Sequence, residues 1–96
     1  MPRRLLDRIR DAIRNAAYDM TAHAVEEMAE DQLDLVDVET AILNGRVVRV
    51  QKHDPRGRRY TVHGIGVDGI TPVGTVGRFT ETGRYLILTV YEVTVL

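Results

Sequence analysis

Residues 34–52 read DLVDVETAILNGRVVRVQK, and the spacing of their apolar residues changes at Gly45. Before that glycine, apolar residues recur every three or four positions, as on one face of a helix. They are Leu35, Val38, Ala41 and Ile42. We predict that Asp34 caps this helix and that Asn44 and Gly45 end it in a left-handed conformation. After Gly45 the spacing falls to two and valine and threonine become frequent, which indicates β-strands.

Two further helices are predicted before this stretch. One runs from about residue 3 to residue 17, and Thr21 caps another that ends near Glu30. Beyond Gly45, turn signals such as Asp68-Gly69 separate four predicted strands. The strands cover residues 46–52, 58–66, 73–80 and 84–95. The predicted fold class is α+β, with two or three helices on one face of a curved four-stranded antiparallel meander. We expect one domain over residues 1–96, with a helical part at 3–45 and a sheet at 46–95.

The last predicted strand distributes its side chains over two faces. The aliphatic face, which we expect against the helices, holds Leu86, Leu88 and Val90. The other face holds Tyr85, Ile87, Thr89 and Tyr91. On that uncovered face, Arg58, Arg59 or His63 of a neighbouring strand could converge with Thr89 and Tyr91. The glycines of the two middle strands are attributed to curvature of the sheet. They are Gly64, Gly66, Gly74 and Gly77.

Charge is segregated along the chain. The segment between Arg14 and Arg46 has no lysine or arginine but eight acidic residues: Asp19, Glu26, Glu27, Glu30, Asp31, Asp34, Asp37 and Glu39. The next fourteen residues carry six cations against Asp54: Arg46, Arg49, Lys52, Arg56, Arg58 and Arg59. Because exposed charges are screened beyond about 8 Å at physiological salt, an anionic partner could bind the basic face without sensing the acidic one. Equally, the cations could only protect a solvated hairpin edge from aggregation.

Several functional classes are disfavoured by composition. The absence of cysteine excludes disulfides, thiol nucleophiles and cysteine-based zinc sites. His23, Glu26 and Glu27 share a helix face but lack the spacing of a metal motif, so we predict no metal and no cofactor. No apolar run approaches the ~20 residues that cross a bilayer, and charges interrupt the first residues too early for a signal peptide. We therefore expect a cytoplasmic protein without a membrane partner.

Histidine is the side chain whose unperturbed pKa lies nearest neutrality, so His23, His53 and His63 are the first candidates for acid–base chemistry. His53 adjoins a tight turn and is expected to be solvated. His23 could equally be an exposed helix residue stabilised by Glu27, and His63 could line the edge of the core. Tyr60, next to the basic stretch, is a candidate stacking platform for a nucleobase.

The order of these segments resembles a bacterial family of small uncharacterised proteins related to the RelE, BrnT and MqsR-like toxins. The resemblance rests on His23-Ala24 followed by Met28, on the helix end from Asp37 to Gly45, and on the final LTVYE segment at 88–92. It implies a RelE-like fold, found in toxin–antitoxin gene pairs, whose better-known relatives cut RNA without metal. One position departs from the pattern, because Glu27 stands where the family often has arginine.

The resemblance and the basic stretch together suggest a toxin-like, metal-independent ribonuclease. Its candidate catalytic residues are His23, His63 and Tyr91, and its candidate substrate-binding residues are Arg56, Arg58, Arg59, Tyr60 and Thr89. The expected partners are RNA, a cognate antitoxin protein and a second copy of the chain. The alternative is a non-catalytic interaction or RNA-binding domain of the same fold. The enzyme hypothesis requires a histidine or tyrosine within a few ångströms of the arginines in one cleft, whereas the non-catalytic alternative does not.

Overall fold

The computed structural model describes residues 4–94, and it is an α+β fold. The helices are α1 (Leu5–Arg14), α2 (Ala22–Glu30) and α3 (Leu35–Asn44). The strands are β1 (Tyr18–Met20), β2 (Arg46–Gln51), β3 (Arg59–Ile65), β4 (Pro72–Phe79) and β5 (Tyr85–Glu92). The predicted fold class and the three helices are confirmed. The predicted helix start at residue 3 and strand end at residue 95 lie outside the described residues.

The sheet has five strands in the order β1-β5-β4-β3-β2, which corrects the predicted four-stranded antiparallel meander. Strands β2 to β5 pair antiparallel as predicted, but β1 pairs parallel to β5. Three residues are too few to show an alternating pattern, so β1 could not be recognised in the sequence. The Arg84 guanidinium fixes β1, because its Nε donates to Asp19 Oδ2 at 2.8 Å and its Nη2 donates to the Tyr18 carbonyl oxygen at 3.0 Å.

The helix boundaries follow the predicted caps with one difference. The Thr21 hydroxyl accepts the Ala24 N–H, and the Asp34 N–H donates to the Asp37 carboxylate. Gly45, however, has a φ of −87° and is not left-handed as predicted. It is needed for space, because a Cβ there would lie 2.5 Å from backbone carbonyl oxygens of α3 and β3. The chain therefore passes from α3 directly into β2.

All three helices pack on one face of the sheet and form the core with it. Its fully buried members are Ile9, Ala24, Val38, Ala41, Ile42, Val73, Tyr85, Ile87 and Val90. The face opposite this core is called the open face. Ala41 of α3 lies so close to Gly64 that a Cβ there would meet its carbonyl oxygen at 1.9 Å. Close approach, and not only curvature as predicted, therefore requires glycine in the middle strands.

The buried residues of β5 differ from those predicted. Tyr85 and Ile87 face the core together with Val90, whereas Leu86 and Leu88 are only partly buried. The reason is an irregularity in the β4–β5 pairing, because Gly77 pairs with Ile87 whereas Val76 pairs with Thr89. Leu88 is thus an extra residue in β5, and it shifts the alternation by one position.

The edge of β5 beyond β1 is covered by two carboxylates, one from Glu27 of α2 and one from Asp31, the residue that follows α2. The Val90 N–H donates to Glu27 at 3.1 Å, and the Glu92 N–H donates to Asp31 at 2.9 Å. These side chains satisfy backbone donors that a longer neighbouring strand would otherwise pair. Among residues 4–94, no helix is long and apolar enough to cross a membrane.

Candidate functional site

The open face carries polar side chains in two rows that cross the sheet. The pairing registers define the first row as Arg46, His63, Gly74 and Tyr91, on β2 to β5 in turn. The second row, one repeat away, is Arg49, Thr61, Val76 and Thr89. Cations therefore occupy β2 at one side, and hydroxyl groups occupy β5 at the other.

His63 and Tyr91 meet across β4. The His63 Nε2 atom and the Tyr91 hydroxyl oxygen are 2.8 Å apart, and the two rings are almost perpendicular at 83°. The Tyr91 ring lies over Gly74, where a Cβ would come within 2.4 Å of its carbon atoms. Burial raises the pKa of the Tyr91 hydroxyl above its usual value, so this group keeps its proton at neutral pH and can donate it.

A bulge in β2 places two arginines on the same face. Val47 pairs with Val62 but Arg49 pairs with Thr61, which leaves Val48 as an extra residue. In a regular strand, residues three apart would face opposite sides. Arg46 and Arg49 belong to the basic stretch of the sequence, but neither could be assigned to the site in advance, because a bulge leaves no signal in the spacing. Within residues 4–94, neither forms an ion pair with a carboxylate.

Two open grooves adjoin the rows. One, of about 420 Å³, includes Arg46 and His63 together with the apolar side chains of Val48 and Ile65. The other, of about 600 Å³, includes Arg49, Lys52 and His53. The two lie toward opposite ends of β2. A cation of the open face therefore borders each concavity.

Four of the five predicted substrate-binding residues lie outside the two rows, and only Thr89 belongs to one. Arg56 and Arg58 are exposed in the β2–β3 loop. Tyr60 is on the core side of β3, where its ring packs edge-on against Phe79 at 6.4 Å. Arg59 pairs with Asp54, with 3.1 Å between Nε and Oδ2, so its charge is partly compensated. The positive groups nearest to His63 are therefore on β2 and not in the hairpin loop.

His23 and Thr89 meet at the edge of β5 through Glu27. The His23 side chain is 68% exposed, and its Nε2 atom is 3.2 Å from Glu27 Oε1. The same oxygen accepts hydrogen bonds from the Thr89 hydroxyl and from the Val90 N–H. Glu27 is thus engaged in holding α2 on β5. In the described part of the chain, no group of three or more His, Cys, Asp or Glu side chains could hold a metal ion.

The sequence matches a family profile described as Domain of unknown function (DUF4258), over residues 20–92. This range begins at the last residue of β1 and ends at the last residue of β5, so it contains both rows of the open face. No curated protein matches the chain. No solved structure matches it either. The predicted membership of an uncharacterised family is supported, whereas the resemblance to RelE-like toxins stays a prediction.

Proposed function

The chain belongs to the DUF4258 family, and we propose that it binds RNA on the open face and cleaves it without a metal ion, as RelE-like toxins do. The observation that carries the proposal is the 2.8 Å contact between His63 and Tyr91 in the same row as Arg46. This row joins an acid–base pair to an arginine that forms no ion pair with a carboxylate of residues 4–94. The partners that follow from the proposal are RNA and a cognate antitoxin, and RNA as substrate implies activity in the cytoplasm.

The chemistry assigned to the row is attack of a ribose 2′-hydroxyl on the adjacent phosphate. The Tyr91 hydroxyl takes the proton of the 2′-hydroxyl and passes its own to Nε2 of neutral His63. The 2′-oxygen bonds to phosphorus, the bond to the 5′-oxygen breaks, and water supplies the proton that the leaving oxygen needs. The products are a 2′,3′-cyclic phosphate and a 5′-hydroxyl, and the imidazolium returns its proton to solvent.

Arg46 has a separate role in this scheme. It neighbours His63 directly in the row, and its side chain is exposed beside the groove of about 420 Å³. Negative charge on the phosphate oxygens grows as the 2′-oxygen attacks, so a fixed guanidinium there stabilises the transition state more than the ground state. We assign phosphate binding to Arg46 in place of the hairpin arginines.

The test is cleavage of end-labelled, mixed-sequence RNA in the presence of a chelator. We expect cyclic-phosphate products from the parent protein, and a rate lower by about 10²–10⁴-fold for His63→Ala, the range that acid–base catalysis contributes. Tyr91→Phe, which keeps the ring but removes the relay, should also be slower. Tyr18→Phe is the matched control, because Tyr18 also has one side-chain partner, Glu39 at 2.7 Å, but belongs to β1.

Three results would contradict the proposal. RNA that the parent binds but never cuts would make this a non-catalytic RNA-binding domain. Equal cleavage by the parent and His63→Ala would remove His63 from the chemistry. A loss in His23→Ala as large as that in His63→Ala, with folding intact, would move the reaction to the edge of β5.

A further inference from the structure

We infer that the open face has a second nucleotide subsite, at Arg49 and the groove beside it, so that the ligand is single-stranded RNA lying along β2. This inference rests on the proposed function, which assigns the first nucleotide to Arg46 and His63. It adds that the RNA is single-stranded, that it runs along β2, and that Arg49 determines the preference for longer chains. Arg49 would bind the phosphate next to the scissile one.

Arg46 and Arg49 are aligned along one face of β2. The Val48 bulge gives Arg46 and Arg49 partners two residues apart on β3, His63 and Thr61, so both arginines belong to the open face. Two residues of a strand span about 7 Å. This spacing is of the order of that between successive phosphates of an extended nucleic-acid strand. Without the bulge, Arg49 would point to the core face and the second cation would be lost.

A groove lies beside Arg49, at the end of β2 that leads into the hairpin loop. Its volume is about 600 Å³, and its lining adds the positive charge of Lys52 and the polar side chain of His53. Asp54 is the acidic residue of that lining, and it pairs with Arg59 at 3.1 Å. The charge of Arg49 is therefore available to a ligand, and it adjoins a concavity large enough for a nucleobase.

The walls of the two grooves favour single-stranded over double-stranded RNA. Apolar side chains line both grooves: Val48, Ile65, Pro72 and Val93 in the first, and Val50 and Pro55 in the second. Unstacked bases can bury their faces on such walls, whereas the bases of a duplex stay stacked inside it. Two polar groups of the walls are already engaged within the fold, because Asn44 is hydrogen-bonded to the Ile65 backbone and Asp54 pairs with Arg59. The subsites should therefore select strandedness and length more than sequence.

The experiment measures binding separately from cleavage, with fluorescence anisotropy of 2′-O-methyl oligonucleotides that lack the attacking hydroxyl. We compare chains of one, two and five nucleotides, and a five-base-pair duplex, on the parent, Arg49→Gln and Arg14→Gln proteins. Arg14 is an exposed arginine of α1 and provides the same charge change away from the sheet. Circular dichroism checks the fold, which substitution of an exposed side chain should leave intact.

For the parent, we expect affinity to rise about tenfold or more from one to two nucleotides and to be weaker for the duplex. Arg49→Gln should reduce that gain, keep mononucleotide affinity and lower the salt slope of the dinucleotide by about 0.7, the value for one phosphate contact on a single strand. Affinity that does not depend on length, or equal losses in Arg49→Gln and Arg14→Gln, would overturn the subsite alone. No binding to any oligonucleotide would overturn the proposed function as well.

Discussion

Gly74 shows how one missing side chain organises the candidate site. The Tyr91 ring occupies the space that a Cβ would need, and only from that position does its hydroxyl reach His63 on the far side of β4. His63 and Tyr91 could both be selected from the sequence, by residue type and by strand alternation. Their contact could not, because it depends on the register of three strands and on a gap in the middle one.

We expect Gly74→Ala to lower the free energy of unfolding by about 1–3 kcal/mol, as overpacking does, and to abolish cleavage by displacing Tyr91. Chemical denaturation measures the first effect. The same substitution in a Tyr91→Ala background should cost much less, because the ring that clashes is gone. A double-mutant cycle with no coupling energy would show that the ring does not lie over Gly74 in solution.

At the scale of elements, the sequence was sufficient where a period repeats over a whole segment. The three helices and strands β2 to β5 follow from such periods, and the N-caps Thr21 and Asp34 follow from residue type. The short β1 and the extra residues Val48 and Leu88 leave no repeating pattern in the sequence. They are recognised only from how each strand pairs with the adjacent strand of the sheet. Those bulges decide which side chains reach the open face, so the residues of β5 before Leu88 were assigned to the wrong faces and Arg49 was missed.

The contact between α2 and β5 depends on Glu27. We expect Glu27→Ala to cost about 2 kcal/mol, since it leaves the Val90 N–H and the Thr89 hydroxyl without their charged acceptor. Glu26→Ala is the matched control, because its side chain is exposed and such substitutions stay within about 0.5 kcal/mol. Urea denaturation compares the two variants. Equal stabilities would mean that α2 does not need this carboxylate to stay on β5.

On the scale of the whole molecule, the acidic segment and the cations of β2 occupy different parts of the fold, although α1, which packs on the core face with α2 and α3, carries Arg8, Arg10 and Arg14. The segment without lysine or arginine forms β1, α2 and α3, and the cations of β2 lie on the opposite side of the sheet from the core. The different positions of α2, α3 and β2 agree with the charge pattern of the sequence. That pattern does not show that carboxylates of the acidic segment are used within the fold, as Asp19 is by Arg84 and Asp31 by β5.

Tyrosine burial should make the protein sensitive to alkaline pH. Burial is the main cause that raises the pKa of Tyr18, Tyr85 and Tyr91 in the fold. The unfolded chain loses these protons from about pH 10, whereas the folded chain keeps them. The stabilising contribution is therefore complete below about pH 10 and is lost as the pH rises above it. Thermal denaturation between pH 8 and pH 11 measures the loss.

The Tyr85→Phe variant is the control for this pH dependence. Within residues 4–94, the buried Tyr85 hydroxyl has no hydrogen-bond partner, so we expect its removal to raise stability at pH 7 by about 1 kcal/mol. The variant should also lose less stability above pH 10. An alkaline loss as large as that of the parent would show that the Tyr85 hydroxyl does not contribute.

The parallel pairing of β1 with β5 has a consequence for how the chain matures during translation. Tyr18 of β1 pairs with Tyr85 of β5, so β1 cannot pair until almost the whole described chain has been synthesised and β5 has left the ribosome. Tyr91 is supplied by that same late strand. A nascent polypeptide that already exposes the cations of β2 therefore has no hydroxyl beside His63, and the pair forms only after synthesis has passed β5.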